Sequence, residues 1–355
     1  MIYTSGTTGT PKGVRRQPAS ADEMAMQRQT SRHVFGLSPD APAVALMNGP
    51  MYHSAPNAYG LVAARAGAKI VLQARFDAEE MLHLIAQHGV THMHVVPTMF
   101  VRLLKLSATV RDAYDLSSLR FVVHGAAPCP PHVKQAMIEW WGPVINEYYG
   151  STETGITVWH DATEALHKPG TVGRAIPGAI VKVFGPDAVE LPAGHVGDIY
   201  MRSAGTADFT YHGHEDQRRE VGLQGLVTVG DLGYLDEDGF LFLCDRRRDM
   251  IISGGVNIYP AEIEAAILAL PGVRDCAVFG IPDDEFGEAV CAHVELDAPG
   301  ALTAQAVRDQ LGASLARYKV PKVIRFDESL PREDSGKIFK RRLREPYWAV
   351  AGRNI

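Results

Sequence analysis

Residues 91–106 read THMHVVPTMFVRLLKL. The first part, Thr91–Val96, is a short apolar run typical of a buried strand, whereas Thr98–Leu106 has its apolar residues at helical spacing. A strand followed at once by a helix is the repeating unit of parallel α/β sheets. This stretch therefore predicts an α/β fold for the surrounding region.

The same alternation continues on both sides of this stretch. Apolar runs predict strands at Ala43–Met47, Lys69–Leu72 and Leu119–Val123, and helical spacing predicts helices at Glu79–His88 and Pro131–Trp140. Together these segments predict a parallel sheet covered by helices. From about 170 to 245 the pattern changes to short strands and Gly-rich turns, which predicts an antiparallel or barrel-like region.

A third pattern begins after Cys244–Asp249. A helix is predicted to begin at Pro260, a half-buried strand at Val290–Leu296 and an amphipathic helix at Val307–Tyr318. The predicted fold class is thus α/β, with a larger α/β region, a β-rich subdomain and a small α+β C-terminal domain. We predict a large domain at 1–246, with its sheet to about 168 and the β-rich part at about 169–246, followed by a small domain at 247–355.

Composition excludes several functional classes. Thirty-five basic and 41 acidic side chains give a net charge of −6, which argues against a nucleic-acid-binding or anionic-membrane surface. The four cysteines have no paired spacing, so they suit neither a disulfide framework nor a zinc site and indicate a reducing cytoplasm. No apolar run reaches the length of a membrane span, and the N-terminus lacks a signal-peptide pattern.

The stretch Thr4–Gly13 reads TSGTTGTPKG. Its glycines allow the backbone to approach an anion, and its hydroxyls, amides and Lys12 are groups that bind phosphate. A Walker-type loop needs Gly before Lys and Ser or Thr after it, but this loop has Pro11 and Gly13 there. We predict a phosphate-binding loop of another type; the alternative is a polar surface turn.

Three further motifs follow. Asn146–Gly155 (NEYYGSTETG) combines a carboxylate suited to a hard cation with an aromatic face suited to a purine. Asp231 is an acceptor suited to ribose hydroxyls and Arg246 a donor for ribose or phosphate oxygens, whereas Asp236–Gly239 is interpreted as a turn. In the last motif, Leu330–Lys337 (LPREDSGK), Lys337 follows Gly on a loop that can reach a cleft.

In this order the four motifs resemble those of the adenylate-forming enzymes, the superfamily of acyl-CoA synthetases, peptide-synthetase adenylation domains and luciferases. The resemblance covers nearly the whole chain. It implies ATP-dependent activation of a carboxylic acid as acyl-AMP, with ATP, Mg²⁺ and coenzyme A as cofactors and cosubstrates. It also implies that relatives carry a substantial portion before the phosphate loop, which completes the large domain and part of the acid pocket.

The resemblance also implies roles for individual residues. The phosphate loop handles pyrophosphate, Tyr149 stacks on the adenine, and Gly125–Pro128 lines the other side of the adenine. Thr152 contacts the α-phosphate, Glu153 helps to hold Mg²⁺ and Lys337 bridges carboxylate and phosphate. The implied ATP- and AMP-binding residues are Thr4, Ser5, Gly6, Thr7, Thr8, Gly9, Thr10, Lys12, Gly125, Ala126, Ala127, Tyr149, Gly150, Asp231 and Arg246. Ser253, Gly254 and Gly255 line the coenzyme A approach, and Arg248 falls at the hinge about which the small domain rotates.

The acid substrate is indicated mainly by His53, which the resemblance places beside the substrate carboxylate. Amino-acid-activating relatives have an Asp nearby to pair with the amine, and none is present here. This favours a fatty or other simple organic acid over an amino acid. His92 and His94 form a potential metal pair, but with no further ligands a structural role is the favoured interpretation.

Three functions remain open at this point. The first is an acid–CoA ligase, and the second is an adenylation domain that loads a carrier protein. The third is a truncated, non-catalytic nucleotide- or acyl-binding relative. The predicted partners are a carboxylic acid and coenzyme A, with no nucleic acid and no integral membrane segment; a homodimer is left open.

Overall fold

A computed structural model describes residues 1–4, 12–332 and 338–350 of the 355-residue chain. The chain divides into two compact units. Unit 1 comprises 1–229 and 233–243, and unit 2 comprises 230–232 and 244–355. Among the described residues, no helix has the length and apolar character needed to cross a membrane.

Unit 1 alternates strands and helices over its first 170 residues, as the sequence predicts. Its elements here are β1 (Ile2–Thr4), β2 (Lys12–Arg16), α1 (Ala21–Phe35), β3 (Val44–Met47), α2 (Ser54–Arg65), β4 (Lys69–Leu72), α3 (Ala78–His88), β5 (His92–Val95), α4 (Pro97–Leu104), α5 (Ala108–Arg111), β6 (Phe121–His124), α6 (Pro131–Trp141), β7 (Ile145–Ser151), β8 (Gly155–His160) and α7 (Ala162–His167).

The remaining elements of unit 1 are short strands and one short helix. They are β9 (Thr171–Ala175), β10 (Ala179–Phe184), β11 (Gly197–Ser203), β12 (Phe209–Tyr211), α8 (Glu215–Glu220), β13 (Gly222–Leu223), β14 (Leu226–Val227), β15 (Asp231–Leu235) and β16 (Phe240–Arg246), of which β15 and β16 also contribute residues to unit 2.

One large sheet organises unit 1. Strands β4, β3, β5, β6 and β7 lie side by side and parallel, and β8 and β9 continue the sheet in antiparallel pairing. Beyond β9 the order is β16, β15, β11, β14, β13, with β10 paired to β11. The antiparallel strands thus extend the sheet that the parallel strands begin. This confirms the predicted α/β fold class.

The inner strands of the parallel half are buried on both faces, because helices cover them, whereas the edge strand β4 is largely exposed. Its core is formed by apolar side chains of β5, β6, α3, α4 and α6, including Met93, Val122, Ile85, Phe100 and Met137. Strands buried on both faces have near-continuous apolar sequences rather than alternating ones, which explains why the runs at 91–96 and 119–123 are visible in the sequence.

A separate three-stranded sheet in unit 1 has the order β1-β2-β12. Strands β1 and β2 form an antiparallel pair in which Thr4 lies opposite Lys12. β12 pairs with the other edge of β2, with Tyr211 opposite Val14. The predicted phosphate loop therefore connects two strands of this small sheet.

Unit 2 is an α+β unit with its own sheet. Its elements are β17 (Ile251–Ser253), β18 (Val256–Ile258), α9 (Pro260–Leu268), β19 (Val273–Asp283), β20 (Gly287–Leu296), α10 (Ala304–Gly312), a 3₁₀ turn (Arg317–Lys319), β21 (Val323–Asp327) and α11 (Lys340–Val350). The sheet order is β18-β17-β20-β19, with β21 parallel to β20. Ile263, Ile267, Val307 and Leu311 pack the helices onto it.

The helix predicted at Val307–Tyr318 is shorter than its apolar spacing suggested. α10 ends at Gly312, and the chain then turns before the 3₁₀ segment that contains Tyr318. Leu315 still packs against the core, but the Tyr318 side chain is exposed. The apolar periodicity continued past the helix because a turn can also bury a leucine, so spacing alone did not reveal the helix end.

Candidate active site

The end of β7 carries a tight turn that presents Thr152 and Glu153. The Ser151 hydroxyl accepts the backbone N–H groups of Glu153 at 3.1 Å and of Thr154 at 3.0 Å. The hydroxyls of Thr152 and Ser54 lie 3.2 Å apart, which connects the turn to the start of α2. The turn is therefore fixed by its own hydroxyls and by a neighbouring helix.

Two glycines close this turn. A Cβ atom at Gly150 would lie 2.1 Å from the carbonyl oxygen of Gly155, and Gly155 itself has a φ of +71°. The register between β7 and β8 shifts between Tyr149 and Gly150. Only a residue without a side chain fits at position 150, so the strand is free to approach its partner just before Thr152 and Glu153.

Lys12 and Glu153 meet at the same side chain, Tyr211. The Tyr211 hydroxyl donates a hydrogen bond to Glu153 Oε1 at 3.1 Å. The Lys12 Nζ lies 5.3 Å from the centroid of the Tyr211 ring, within cation–π range. The structure thus brings together the lysine of the predicted phosphate loop and the predicted metal-binding carboxylate, although they are far apart in the sequence.

Arg16 provides a second link between the small sheet and the turn. Its guanidinium donates hydrogen bonds to the carbonyl oxygens of Thr152 and, at 2.8 Å, of Ala207. Burial lowers the pKa of Arg16, while the charges of Glu153 and Asp208 oppose that shift. An arginine keeps its charge even so, because its ordinary pKa is above 12. Arg16 therefore adds a fixed positive charge beside Thr152 and Glu153.

The predicted adenine-binding residues follow neighbouring parallel strands. Gly125–Ala127 comes directly after β6, and Tyr149 and Gly150 belong to the last part of β7. The carboxyl ends of parallel strands are where ligands bind in open α/β sheets. A Cβ atom at Gly125 would lie 2.8 Å from the Tyr148 ring, and Ala126 has a φ of +68°. The backbone after β6 is therefore held close to β7.

Tyr148 and Tyr149 point to opposite faces of β7, as successive strand residues do. Tyr148 is buried, and its hydroxyl lies 3.0 Å from His94 Nε2. Tyr149 lies opposite Val158 and is half-buried. The alternation separates a tyrosine that packs in the core from the one predicted to stack on a purine.

His53, predicted beside the substrate carboxylate, precedes the first residue of α2. Its ring packs on Tyr52 with a centroid distance of 4.5 Å. Ser54, the next residue, is the one that contacts Thr152. The structure therefore places His53 one residue from a direct contact with the turn.

The two histidines considered as a metal pair have other hydrogen-bonding contacts. His92 lies 2.7 Å from the Thr91 hydroxyl and 3.1 Å from the Gly36 carbonyl oxygen, and His94 contacts Tyr148. Burial lowers the pKa of His94 to about 4. These contacts favour the structural interpretation. In the part of the chain that the structure describes, no group of three or more His, Cys, Asp or Glu side chains is arranged to hold a metal ion.

In unit 2, the two predicted ribose-binding residues lie together. Arg246 Nε is 3.5 Å from Asp231 Oδ1, and the Asp231 side chain is the less exposed of the two. The backbone N–H of Arg247 donates to the Gly230 carbonyl at 2.8 Å, which holds the two segments side by side. The pair thus presents a carboxylate and a guanidinium from adjacent backbone segments.

The segment predicted to line the coenzyme A approach is the turn of the β17–β18 hairpin. Ser253 lies opposite Val256, and Gly254 and Gly255 have φ values of +57° and +80°. Two consecutive left-handed residues are typical of the tight turns that join antiparallel strands. The Gly254 N–H donates to the Phe286 carbonyl at 2.8 Å, so the turn is fixed on the neighbouring strand connection.

The predicted hinge residue Arg248 lies within unit 2, near the start of its 244–355 segment. Its carbonyl oxygen accepts a hydrogen bond from Arg344 Nη1 on α11 at 3.3 Å. On the same helix, Lys340 pairs with Glu264 at 2.8 Å. These contacts stabilise unit 2 itself.

Two groups of predicted residues lie outside the described residues. They are Lys337, and the loop residues Ser5, Gly6, Thr7, Thr8, Gly9 and Thr10. On either side of the stretch that contains Lys337, Arg332 and Ile338 form an antiparallel bridge.

Comparison with known proteins identifies this arrangement. Residues 1–209 match the family model of the AMP-binding enzymes, and residues 262–337 match that of the AMP-binding enzyme C-terminal domain. The chain belongs to the AMP-binding enzymes. It is a member of the adenylate-forming acyl-CoA synthetase superfamily.

Several relatives of this AMP-binding enzyme are similar over almost its whole length. A 2-succinylbenzoate–CoA ligase of Bacillus cereus is 36% identical, and the matched region covers 97% of this chain and 69% of that ligase. A fatty acid–[acyl-carrier-protein] ligase, ScoC, of Streptomyces coeruleorubidus is 34% identical, and the matched region covers 100% of this chain and 68% of ScoC. The ATP-bound crystal structure of MatB from Rhodopseudomonas palustris has a TM-score of 0.86 at 32% identity, over 98% of this chain and 68% of that one.

The AMP-binding enzyme described here spans 62 to 69% of the length of the curated relatives that it matches. It nevertheless contains segments matched by both family models.

Sequence reasoning missed three residues that this AMP-binding enzyme places at the site: Arg16, Ser54 and Tyr211. Arg16 follows the phosphate loop by only a few residues, and its position on the same strand as Lys12 was the one available signal. Tyr211 lies in a separate strand, so no sequence spacing connects it to Lys12 or Glu153.

Proposed function

We propose that this chain activates a carboxylic acid with ATP as an acyl-adenylate and then transfers the acyl group to coenzyme A. The observation that carries the proposal is that Lys12 and Glu153 converge on Tyr211, beside Thr152. Thr152 and Glu153 follow the carboxyl end of the parallel strand β7, and Lys12 approaches them from the small antiparallel sheet. A lysine, a hydroxyl and a carboxylate so arranged suit a nucleoside triphosphate with its cation. Relatives named as CoA ligases support the acceptor.

In the first half-reaction a carboxylate oxygen of the acid attacks the α-phosphorus of ATP, and pyrophosphate leaves. Attack of a thiol on a free carboxylate would have to expel oxide, which is a very poor leaving group. Attack on the acyl-adenylate expels AMP instead, so a thiol can form the thioester in the second half-reaction. Negative charge accumulates around phosphorus during this attack. Lys12, Thr152 and Lys337 are the groups that we assign to its stabilisation.

Mg²⁺ is part of the proposal, with Glu153 as its protein ligand. When bound, the ion would neutralise charge on the phosphate oxygens. Mg²⁺ commonly uses one or two carboxylates together with substrate phosphates and water, so a single carboxylate beside a phosphate site fits this chemistry. Oε1 of Glu153 accepts a hydrogen bond from Tyr211. A carboxylate has a second oxygen, so Oε2 can serve as the ligand of the ion.

We assign the remaining groups as the family resemblance implies. Tyr149 and Gly125–Ala127 bind the adenine, Asp231 and Arg246 bind the ribose, and Ser253–Gly255 line the coenzyme A approach. His53 borders the acid, which we take to be a fatty or other simple organic acid. Arg248 is assigned as the hinge residue between a large domain at 1–246 and a small domain at 247–355.

One further assignment completes the proposal. We place the protein in the cytoplasm, because Cys129, Cys244, Cys276 and Cys291 are all free thiols. Light scattering on the purified chain tests whether it forms the homodimer that the sequence leaves open.

The decisive experiment is ATP–pyrophosphate exchange with a panel of carboxylic acids that includes fatty, aromatic and amino acids. Exchange with fatty or other simple organic acids supports the proposal, whereas a strict preference for amino acids contradicts the assigned substrate class. If well-folded protein shows no exchange with any acid, the catalytic proposal for this chain is wrong.

A second candidate, loading of a carrier protein, is supported by the similarity to ScoC. The two acceptors are separated by presenting the enzymatically formed acyl-adenylate to coenzyme A and, in parallel, to a phosphopantetheinylated carrier protein. Thioester formation with coenzyme A alone supports the first candidate. Thioester formation with the carrier alone supports the second.

A further inference from the structure

Tyr211 occupies a position that the family resemblance does not explain. It is the last residue of β12, and its side chain is almost completely buried. Phe209, Val14 and Val227 belong to the same apolar cluster, and the Phe209 and Tyr211 rings lie 5.2 Å apart in an edge arrangement. A phenylalanine would satisfy all of this packing. The hydroxyl, in contrast, donates a hydrogen bond to Glu153 Oε1.

We propose that Tyr211 is a positioning residue that orients the Glu153 carboxylate for Mg²⁺ and holds the Lys12 ammonium beside the same phosphate groups. The inference rests on the proposed function, because it takes Glu153 as the ligand of the cation that accompanies ATP. It assigns a role to a residue outside the four motifs. It also connects the strand that follows the phosphate loop to the turn that follows β7.

The chemistry of the contact supports orientation. The Tyr211 hydroxyl lies 3.1 Å from Glu153 Oε1, and a phenol O–H is a donor to a carboxylate, which can only accept. One hydrogen bond to Oε1 restricts rotation of the Glu153 side chain and leaves Oε2 and the remaining lone pairs as potential ligands. Hydrogen-bonding partners of a metal ligand usually influence affinity for the metal in this way.

The ring has a separate task from the hydroxyl. Lys12 Nζ lies over the Tyr211 ring at 5.3 Å from its centroid. An ammonium group is attracted by the negative face of an aromatic ring, and burial of the ring strengthens that attraction. Tyr211→Phe therefore removes the contact to Glu153 and keeps the contact to Lys12, whereas Tyr211→Leu removes both.

Arg16 makes the test specific. It fixes the backbone of the turn through the Thr152 carbonyl, independently of Tyr211. Tyr211→Phe should therefore leave the turn in place and change only the orientation of the Glu153 side chain. A purely structural role for Tyr211 predicts no change in the dependence on Mg²⁺.

The experiment measures ATP binding to the full chain by calorimetry over a series of Mg²⁺ concentrations. We expect Tyr211→Phe to raise the Mg²⁺ concentration for half-maximal ATP affinity by about tenfold, the lower end of the range for a residue that supports a metal ligand. ATP affinity at saturating Mg²⁺ should stay close to that of the wild type. Tyr211→Leu should weaken ATP binding even at saturating Mg²⁺.

The matched control is Tyr114→Phe, which removes another phenol-to-carboxylate hydrogen bond, that of Tyr114 to Glu79 at 3.2 Å. This variant should bind ATP and Mg²⁺ as the wild type does. An unchanged Mg²⁺ dependence in Tyr211→Phe overturns the inference and leaves the proposed function intact. Wild-type protein that binds no ATP at any Mg²⁺ concentration overturns both.

A double variant gives a second, independent measure. Glu153→Gln should raise the Mg²⁺ requirement by itself, and adding Tyr211→Phe should cause no further increase, because the hydroxyl acts through Glu153. Additive effects of the two substitutions would show that Tyr211 acts elsewhere.

Discussion

The ammonium group of Lys134 on α6 forms a buried ion pair with the carboxylate of Glu147 on β7, and the two side chains are 6% and 3% exposed. His160 on β8 joins them, with Nε2 at 2.8 Å from Glu147 Oε2 and 3.1 Å from Lys134 Nζ. Three elements of unit 1 are thus held together by one ion pair and by the polar contacts of His160. Glu147 lies two residues before Tyr149, so this pair fixes the strand that leads into the candidate active site.

We expect Lys134→Met to lower the free energy of unfolding by about 3–5 kcal/mol, the usual cost of leaving one partner of a buried ion pair without the other. Urea unfolding followed by tryptophan fluorescence measures this change. Lys182→Met is the matched control, because Lys182 pairs with Glu190 at the surface at 2.5 Å. That variant should lose no more than about 1 kcal/mol. Equal losses in the two variants would contradict the role of burial.

Stability should decrease as the pH falls below about 6.5. Burial lowers the pKa of His94 to about 4 and that of His124 to about 3, from an ordinary value of 6.5. The unfolded chain therefore binds protons between pH 6.5 and these values while the folded chain does not, and acid favours unfolding. Above pH 6.5 the two histidines contribute no pH dependence.

A second acid-sensitive contribution comes from Glu147. Burial by itself would raise its pKa, but Lys134, His124 and His160 outweigh burial and hold the pKa below the ordinary 4.5. Its stabilising effect is complete above pH 4.5 and is lost as the pH falls further.

Urea unfolding between pH 8 and 4 should show a decline in the free energy of unfolding that begins near pH 6.5. In His94→Gln the slope in that interval should decrease by up to about 1.4 kcal/mol per pH unit; an unchanged slope would contradict the assignment.

Gly150→Ala should disrupt the turn before Thr152. Its methyl group would lie 2.1 Å from the Gly155 carbonyl oxygen, so the two strands must separate. We expect a loss of about 1–3 kcal/mol in the free energy of unfolding, as for other overpacked positions, together with weaker ATP binding. Gly312→Ala, at the end of α10, meets no atom within 4 Å and should leave stability unchanged or raise it by up to about 1 kcal/mol. Thermal unfolding and calorimetry distinguish the two variants.

Lys337→Ala should slow acyl-adenylate formation by about two to three orders of magnitude, the typical cost of removing one donor that stabilises a transition state. Lys322→Ala is the control in the same unit, because the Lys322 side chain, which pairs with Asp283, is itself exposed. The measurement is single-turnover formation of acyl-AMP, with ATP affinity determined in parallel. A rate of acyl-AMP formation within tenfold of the wild type would contradict a catalytic role for Lys337.

The sequence by itself determined the fold class and the chemical family of the chain. The strands at 44–47 and 92–95 were readable because both faces of the inner parallel strands are buried, so each of these strands appears as an apolar run. The strand at 69–72 lies at the edge of the sheet and is largely exposed, but its residues Ile70–Leu72 are apolar as well. Three of the four motifs were readable because each is local: glycines, hydroxyls and charged groups stand within a few residues of one another. Asp231 and Arg246 are farther apart in the sequence, and their pairing was readable only from the order of all four motifs. Where burial did not follow secondary structure, as at Leu315 after α10, the same reasoning placed the helix end wrongly.

Only the tertiary structure decided which separate segments act together. Tyr211 reaches Glu153 because β12 pairs with β2, and Arg16 reaches Thr152 from the same small sheet. Lys134, Glu147 and His160 meet because α6 packs beside β7 and β8. Such contacts depend on strand order and helix packing, which bring distant parts of the chain within hydrogen-bond distance and leave no periodic signal in the sequence. The local motifs therefore specify the chemistry, and the long-range pairing of strands specifies how its groups are held.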